Sequence, residues 1–144
     1  MRVVVQRVKN ALVSVDNQII NQIDHGFLIY IGIHQDDTEE MILKMADKVG
    51  KLRVFEDNEG KMNLSLKDVK GSCLVISQFT LYGDTKKNNR PSFITAAKPK
   101  IAMPLYELFI ETLKKEFEVK TGVFGAHMEV MSNNDGPVTI LMEM

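Results

Sequence analysis

Three short polar segments interrupt the apolar runs of this sequence. They are SQFT at Ser77–Thr80, NNRPSF at Asn88–Phe93 and SNNDGPVT at Ser132–Thr139. Ser77, Gln78 and Thr80 surround one aromatic, Phe79. These are hydrogen-bonding groups that supply no strong base. The usual catalytic equipment is missing around them. His25, His34 and His127 lie far apart and lack metal spacing or a neighbouring cysteine, so each reads as structural or exposed. There is no Walker glycine loop, no dinucleotide fingerprint and no nucleophile elbow around a serine. Asp36–Asp37 and Glu39–Glu40 stand where a helix start would use them. No metal and no cofactor is expected; what remains is metal-independent chemistry, or none.

Taken singly, each segment has a plainer explanation. SQFT can be a strand fraying into a polar loop. Asn-Asp-Gly supplies the positive dihedrals of a hairpin turn, and Pro137 can open an edge strand. From Thr85 to Tyr106 there are five cations (Lys86, Lys87, Arg90, Lys98, Lys100) and no Asp or Glu. They read either as a solvated loop and helix start or as a phosphate-facing patch.

The elements that must position these segments follow from periodicity. Arg2–Val8 and Ala11–Val15 read as two strands, and Asp16-Asn17 as a tight turn into a return strand, Ile19–Ile23. FLIYIGI, Phe27–Ile33, is a continuous apolar run fit for a central strand. A helix follows, with Asp36 or Asp37 as N-cap, Met41, Ile42, Met45, Ala46 and Val49 on its buried face, and Gly50 near its end. Leu52–Phe55 reads as a short strand, EDNEG as a turn closing on Gly60, Ser72–Phe79 as a strand and Gly83–Pro91 as a loop. A second helix starts at Pro99 or Pro104 and runs to Phe117, with Pro104 best suited to its first turn and Leu105, Leu108, Phe109 and Leu113 buried. Strands near Glu118–Thr121, Phe124–Ser132 and Val138–Met144 complete the chain. The expectation is one domain over residues 1–144. Its class is α+β, with a mostly antiparallel, barrel-like sheet and two main helices.

Composition narrows the setting. A chain of 144 residues can bury a core without staples. Net charge is −1, so no global basic field announces nucleic acid. No apolar run spans a membrane, and MRVVVQRVKN is too interrupted by cations for a signal peptide. The single cysteine, Cys73, lies in an apolar run and reads as a small buried hydrophobe, which makes the cytoplasm the simplest location.

Together, the three polar segments resemble those of the D-aminoacyl-tRNA deacylase family. SQFT runs on into LYGD, RPSF stands at Arg90–Phe93, and NDGPVT stands at Asn134–Thr139 near the C-terminus. The opening MRVVVQRV, GKMNLS at Gly60–Ser65 and TGVFGAHM at Thr121–Met128 also fit, so the resemblance spans essentially the whole chain. One departure is KKNNRPSF, where relatives often carry glycine at Asn88 or Asn89; asparagine also tolerates left-handed backbone.

The resemblance implies hydrolysis of the ester between a D-amino acid, or glycine, and the terminal ribose of tRNA. It assigns catalysis to Ser77, Gln78, Phe79 and Thr80. The amides around Phe79 and Thr80, with the Gln78 side chain, would face the ester carbonyl, and Phe79 would wall the pocket near the terminal adenine. No base is placed to activate Thr80, so a water assisted by the substrate's ribose hydroxyl is the preferred nucleophile. Gly136 and Pro137 would form a cis dipeptide that enters the other subunit of a homodimer and rejects L side chains. Arg7 would hold this dipeptide, Phe124 would line the pocket, and Lys86, Lys87 and Arg90 would meet tRNA phosphates. No DNA and no membrane partner is implied. The alternative is a non-catalytic tRNA- or RNA-binding domain on the same scaffold. A general esterase lacks the required nucleophile–base pair.

Overall fold

Strand β1 (Arg2–Val15) is the spine of the structure, a computed structural model that describes residues 1–144. It is one strand of 14 residues rather than two, because Asn10 stays paired with Asn133 of the C-terminal strand and exposed Lys9 is taken up at a register shift. Asp16 and Asn17, at φ 50° and 63°, turn the chain into β2 (Gln18–Ile23). After a break at Asp24-His25, β3 (Gly26–Gly32) continues along the same edge of β1. Helix α1 (Glu39–Gly50) and a small hairpin of β4 (Arg53–Glu56) and β5 (Met62–Ser65) then cross over to β6 (Ser72–Ser77). Helix α2 (Pro99–Lys114) crosses over to β7 (Val119–Thr121), and β8 (Glu129–Glu143) closes the chain. β3–β6 and β6–β7 are parallel, as helical crossovers allow; β1 pairs antiparallel with β2, β3 and β8. The expected α+β class is observed, with a mixed sheet.

The two faces of this sheet feed two cores. Val3, Val5, Phe27, Ile29, Cys73 and Val75 pack under α1 and α2 with Met45, Phe109 and Leu113. On the other face the sheet curls on itself, bringing Val8, Val13 and Ile23 onto Leu28, Leu74 and Ile76. This curl makes the sheet barrel-like, and Asn21 Nδ2 of β2 donates to Thr121 O of β7 across it at 2.6 Å. Phe109 and Phe27 are wholly buried. Truncating either to alanine should cost about 3–5 kcal/mol.

Several expectations change at element ends. Thr38, not Asp36 or Asp37, caps α1, its hydroxyl accepting from Met41 N. Asp37 is drawn instead to the buried ammonium of Met1 at 2.6 Å and to His34 N at 2.7 Å, charge-assisted bonds that outweigh a cap. Gly50 is the last residue of α1 and does not use positive φ; a Cβ there would meet the Phe117 ring at 2.9 Å, so close packing is what its missing side chain serves. Pro99 opens α2, which leaves Pro104 inside the helix. Pro104 faces solvent, where water can satisfy the carbonyl its missing N–H leaves free. Neither Asn88 nor Asn89 uses positive φ.

SNNDGPVT is not a hairpin turn. β8 stays on β1 through it, with Val8 opposite Asn134 and Gln6 opposite Thr139. Asp135 to Val138 therefore loop out opposite one residue, Arg7. Asn134 ties both ends of this detour: its Oδ1 accepts from Val138 N at 2.9 Å, and its Nδ2 donates to Val138 O at 3.4 Å.

Candidate active site

β6 is shielded by β3 and β7, which explains its unbroken CLVI, and it stops where the backbone changes direction. Gln78 N makes the last ladder bond, to Ile31 O at 2.8 Å. A 3-10 turn, Phe79–Tyr82, follows in place of the expected strand end at Phe79. Leu81 N donates to Gln78 O and Gly83 N to Thr80 O, while the amides of Phe79 and Thr80, first in the turn, have no acceptor in the chain. Two adjacent N–H groups are thus left without a partner in the chain.

The Gln78 side chain folds onto this turn and donates from Nε2 to the Thr80 hydroxyl. Phe79 stays 57% exposed, an unusual fate for a phenylalanine, and Phe93 supports its ring edge-on at 5.2 Å. Ser77, Gln78 and Phe79 open onto a cavity of about 620 Å³. Thr80 is not among the lining residues; it follows Phe79, which is, and its hydroxyl is held by Gln78.

Phe124 lines the same cavity, but from a turn before β8 and not from a strand. Its ring meets Tyr106 at 5.5 Å. Tyr106, on α2, sends its buried hydroxyl to Val75 O at 2.9 Å, tying the helix to β6 just before the polar turn. Burial pushes the Tyr106 phenol well above its ordinary range, so it stays a donor. Sequence reasoning missed Tyr106, although a tyrosine within a helix's buried stripe demands a polar partner. It also missed Ala102 on the cavity wall, and it placed there neither Lys98, read only as one of five cations, nor His127, read as structural or exposed.

Gly136, Pro137 and Arg7 lie elsewhere in the chain. Ser77 is in register with Ile31, which is in register with Val3 of β1, whereas the Gly136 detour faces Arg7. Four residues of strand separate these rows, about 13 Å at the usual rise. The Gly136–Pro137 bond is cis, and Gly136 has φ 142°. Arg7 is only 5% exposed; it donates to Asp135 O at 2.9 Å and Val54 O at 2.7 Å. Asp135 and Glu56 carboxylates stand 3.6 and 3.7 Å from its guanidinium.

The cationic loop is built on a bridge between Asp84 and Ser92, whose N–H and C=O groups pair at 2.8 and 2.9 Å. Lys86, Lys87 and Arg90 project into solvent from its tip. Phe93 at its base connects it to Phe79 and the cavity mouth. Lys44, Lys51, Lys61, Lys67, Lys114 and Lys120 each pair with a carboxylate, whereas none of the five cations from Lys86 to Lys100 does.

The remaining candidates behave as small structural groups. His25 packs against Phe55 and His34 against Tyr82. No three His, Cys, Asp or Glu side chains converge to hold a metal ion. Cys73 is buried, and burial pushes its thiol up to about 12.

Known proteins match this chain over essentially its full length. The sequence model of the family described as D-Tyr-tRNA(Tyr) deacylase matches residues 4–143. The D-aminoacyl-tRNA deacylase of Anoxybacillus flavithermus is 55% identical over 144 residues, covering 99% of each chain. That of Desulfotalea psychrophila is 52% identical, covering 99% of this chain and 97% of its own. Among solved structures, the c-Myc DNA Unwinding Element Binding Protein superposes with a TM-score of 0.95 at 40% identity, covering 100% of this chain and 99% of its own. A probable eukaryotic D-amino acid tRNA deacylase shares the fold, with a TM-score of 0.85 at 17% identity over 99% of this chain and 98% of its own. With a full-length family match and relatives above half identity, this chain belongs to the D-Tyr-tRNA(Tyr) deacylase family.

Proposed function

We propose that this protein hydrolyses the ester joining a D-amino acid to the terminal ribose of tRNA, releasing both. The observation that carries this reading is the polar turn after β6: two unused amides, at Phe79 and Thr80, beside a cavity with no paired acid and base. An aminoacyl ester is already activated. A catalyst must chiefly place it, stabilise the oxyanion and admit water.

In this mechanism a water oxygen bonds to the ester carbonyl carbon, and the carbonyl oxygen becomes an oxyanion. The Phe79 and Thr80 amides donate to it, with the Gln78 side chain beside them; each such donor is worth roughly 3–4 kcal/mol. The intermediate collapses by breaking the bond to the ribose oxygen, which takes the proton. The neighbouring ribose hydroxyl of the substrate assists the water. Phe79, exposed at the mouth, stacks near the terminal adenine, a contact worth about 1–3 kcal/mol.

Selection against L substrates comes from Gly136–Pro137 of a second copy. In one chain this dipeptide is about 13 Å along β1 from the Ser77 row, so one chain holds two halves of different sites. The outer edge of β8 has no strand beside it, and Met131 and Leu141 on it are 65% and 60% exposed. Both features support a homodimer, in which backbone carbonyls of Gly136 and Pro137 accept from the substrate ammonium. A wall of backbone leaves no room for an L side chain and cannot reject glycine. Lys86, Lys87 and Arg90 contact acceptor-stem phosphates without reading bases.

The test is deacylation of D-tyrosyl-tRNA and L-tyrosyl-tRNA side by side, with chelator present. Loss of the D ester alone is expected. Loss of neither, from a folded dimer that binds tRNA, would favour the non-catalytic binding module.

A further inference from the structure

Arg2 lies outside the cavity, at the start of β1, yet it reaches the polar turn. Its Nη1 donates to the Leu81 carbonyl at 2.8 Å. Its guanidinium carbon stands 4.8 Å from the centre of the Tyr82 ring, and Glu143 of β8 pairs with its Nε. Leu81 and Tyr82 are the last two residues of the 3-10 turn that begins at Phe79. Carbonyls at the end of such a turn have no donor within it. Gly83 N serves Thr80 O, and Arg2 serves Leu81 O.

The other side of the turn rests on β3. A Cβ at Gly32 would fall 2.9 Å from Gln78 O and 3.1 Å from Leu81 Cβ, so the backbones are in close contact there. Tyr82 is buried, and the His34 ring lies 5.2 Å from it. The turn is therefore seated on Gly32 at its start and clamped by Arg2 at its end. Its two free amides, Phe79 and Thr80, lie between these points in the chain.

We propose that Arg2 is a positioning residue for deacylation: by holding Leu81 O and the Tyr82 ring, it fixes the direction in which the Phe79 and Thr80 amides meet the oxyanion. This rests on the reading of Ser77–Thr80 as the reacting end. Arg2 touches no wall of the cavity, so substrate binding is left to other residues. Donors aimed at a transition state tolerate little misplacement, so the effect falls on kcat.

The experiment measures kcat and KM on D-tyrosyl-tRNA for wild type, Arg2→Ala, Arg2→Lys and Gln78→Ala, with Tm for each. Arg2→Ala is expected to lower kcat about ten-fold with KM within about two-fold, because an interaction made only in the transition state is lost. Arg2→Lys falls between, and millimolar guanidinium restores part of the kcat of Arg2→Ala. Wild-type kcat in folded Arg2→Ala overturns the proposal, as does a loss without rescue by either cation. Should Arg2→Ala fail to fold, Tyr82→Leu removes the guanidinium's seat and carries the same expectation; unchanged kcat there is equally fatal. Gln78→Ala separates the two ideas. If it is impaired while Arg2→Ala is normal, the clamp fails and the site stands; if both are normal, the site reading fails as well.

Discussion

The side-chain amide of Gln78 donates to the hydroxyl of Thr80, two residues further along the polar turn. An oxygen that accepts from an amide has its electrons partly committed, and no carboxylate, imidazole or amine bonds to it to take its proton. Thr80 is thus suited to hold Gln78, and poorly suited to attack an ester. Thr80→Ala is expected to keep activity within about ten-fold of wild type, the cost of one orienting hydrogen bond. Single-turnover rates on D-tyrosyl-tRNA decide it: complete loss in a folded variant would restore Thr80 as nucleophile.

Gly136 combines φ 142° with crowding, since a Cβ there would meet Val138 Cγ2 at 2.8 Å and Val138 N at 2.9 Å. Gly136→Ala should fold, with a stability loss of about 1–3 kcal/mol from the unfavourable backbone alone. The same shift displaces the carbonyls proposed to exclude L substrates. Urea denaturation checks the first claim, and rates on both enantiomers the second. Unchanged rates on D and L esters would remove Gly136 from the site.

Arg7 fixes the detour from the β1 side through Asp135 O and Val54 O. Arg7→Ala leaves the Asp135 and Val54 carbonyls without their donor where the guanidinium was buried, for which a loss of about 2–4 kcal/mol is expected. Arg7→Lys can keep only one of the two bonds and should recover less than half of that loss. Denaturation midpoints of the two variants measure this directly. Equal stability of wild type and Arg7→Ala would show that the detour is held by Asn134 alone.

Lys86, Lys87 and Arg90 are unpaired, so their charges remain available to phosphate. Changing all three to Gln should raise KM for aminoacyl-tRNA with little change in kcat. It should also flatten the dependence of log K on log salt by about two to three units. Steady-state kinetics checks the first expectation, and a salt titration of tRNA binding the second. An unchanged slope would return these residues to the role of solvated loop charges.

Burial raises the Cys73 thiol from 9.0 to about 12. At pH 8 the native thiol is protonated and shielded, so iodoacetamide should modify it only on unfolding. The shift also carries a sign for stability. Below about pH 9 the unfolded thiol keeps its proton, and the full contribution is present. Between 9 and 12 the unfolded chain releases the proton and the native one does not, so stability falls as pH rises. Fast alkylation of the native protein would contradict the buried setting.

Periodicity in the sequence was enough for α1, α2, the β1–β2 turn and the buried runs of β3 and β6, because these depend on neighbours one to four residues away. The polar segments were legible too, since Ser77–Thr80 and Asn134–Thr139 break apolar runs with no local need. Other features had no local cause. Asp37 was lost as a cap because Met1, far away in sequence, brings an ammonium to it. SNNDGPVT has the composition of a hairpin turn, and only pairing with β1 on both sides makes it a detour facing Arg7. The parallel pairing of β6 with β3 and β7, which ends Gln78 against Ile31, depends on crossovers that periodicity does not orient. Residue type determined that the polar turn after β6 carries amides and hydroxyls and no acid or base. Only the tertiary structure decided which amides are free, that Tyr106 and Phe124 wall the cavity, and that Gly136–Pro137 lies apart from Ser77 in the same chain. Hydrogen-bond partners across a sheet are set by register, and register is a property of the whole fold.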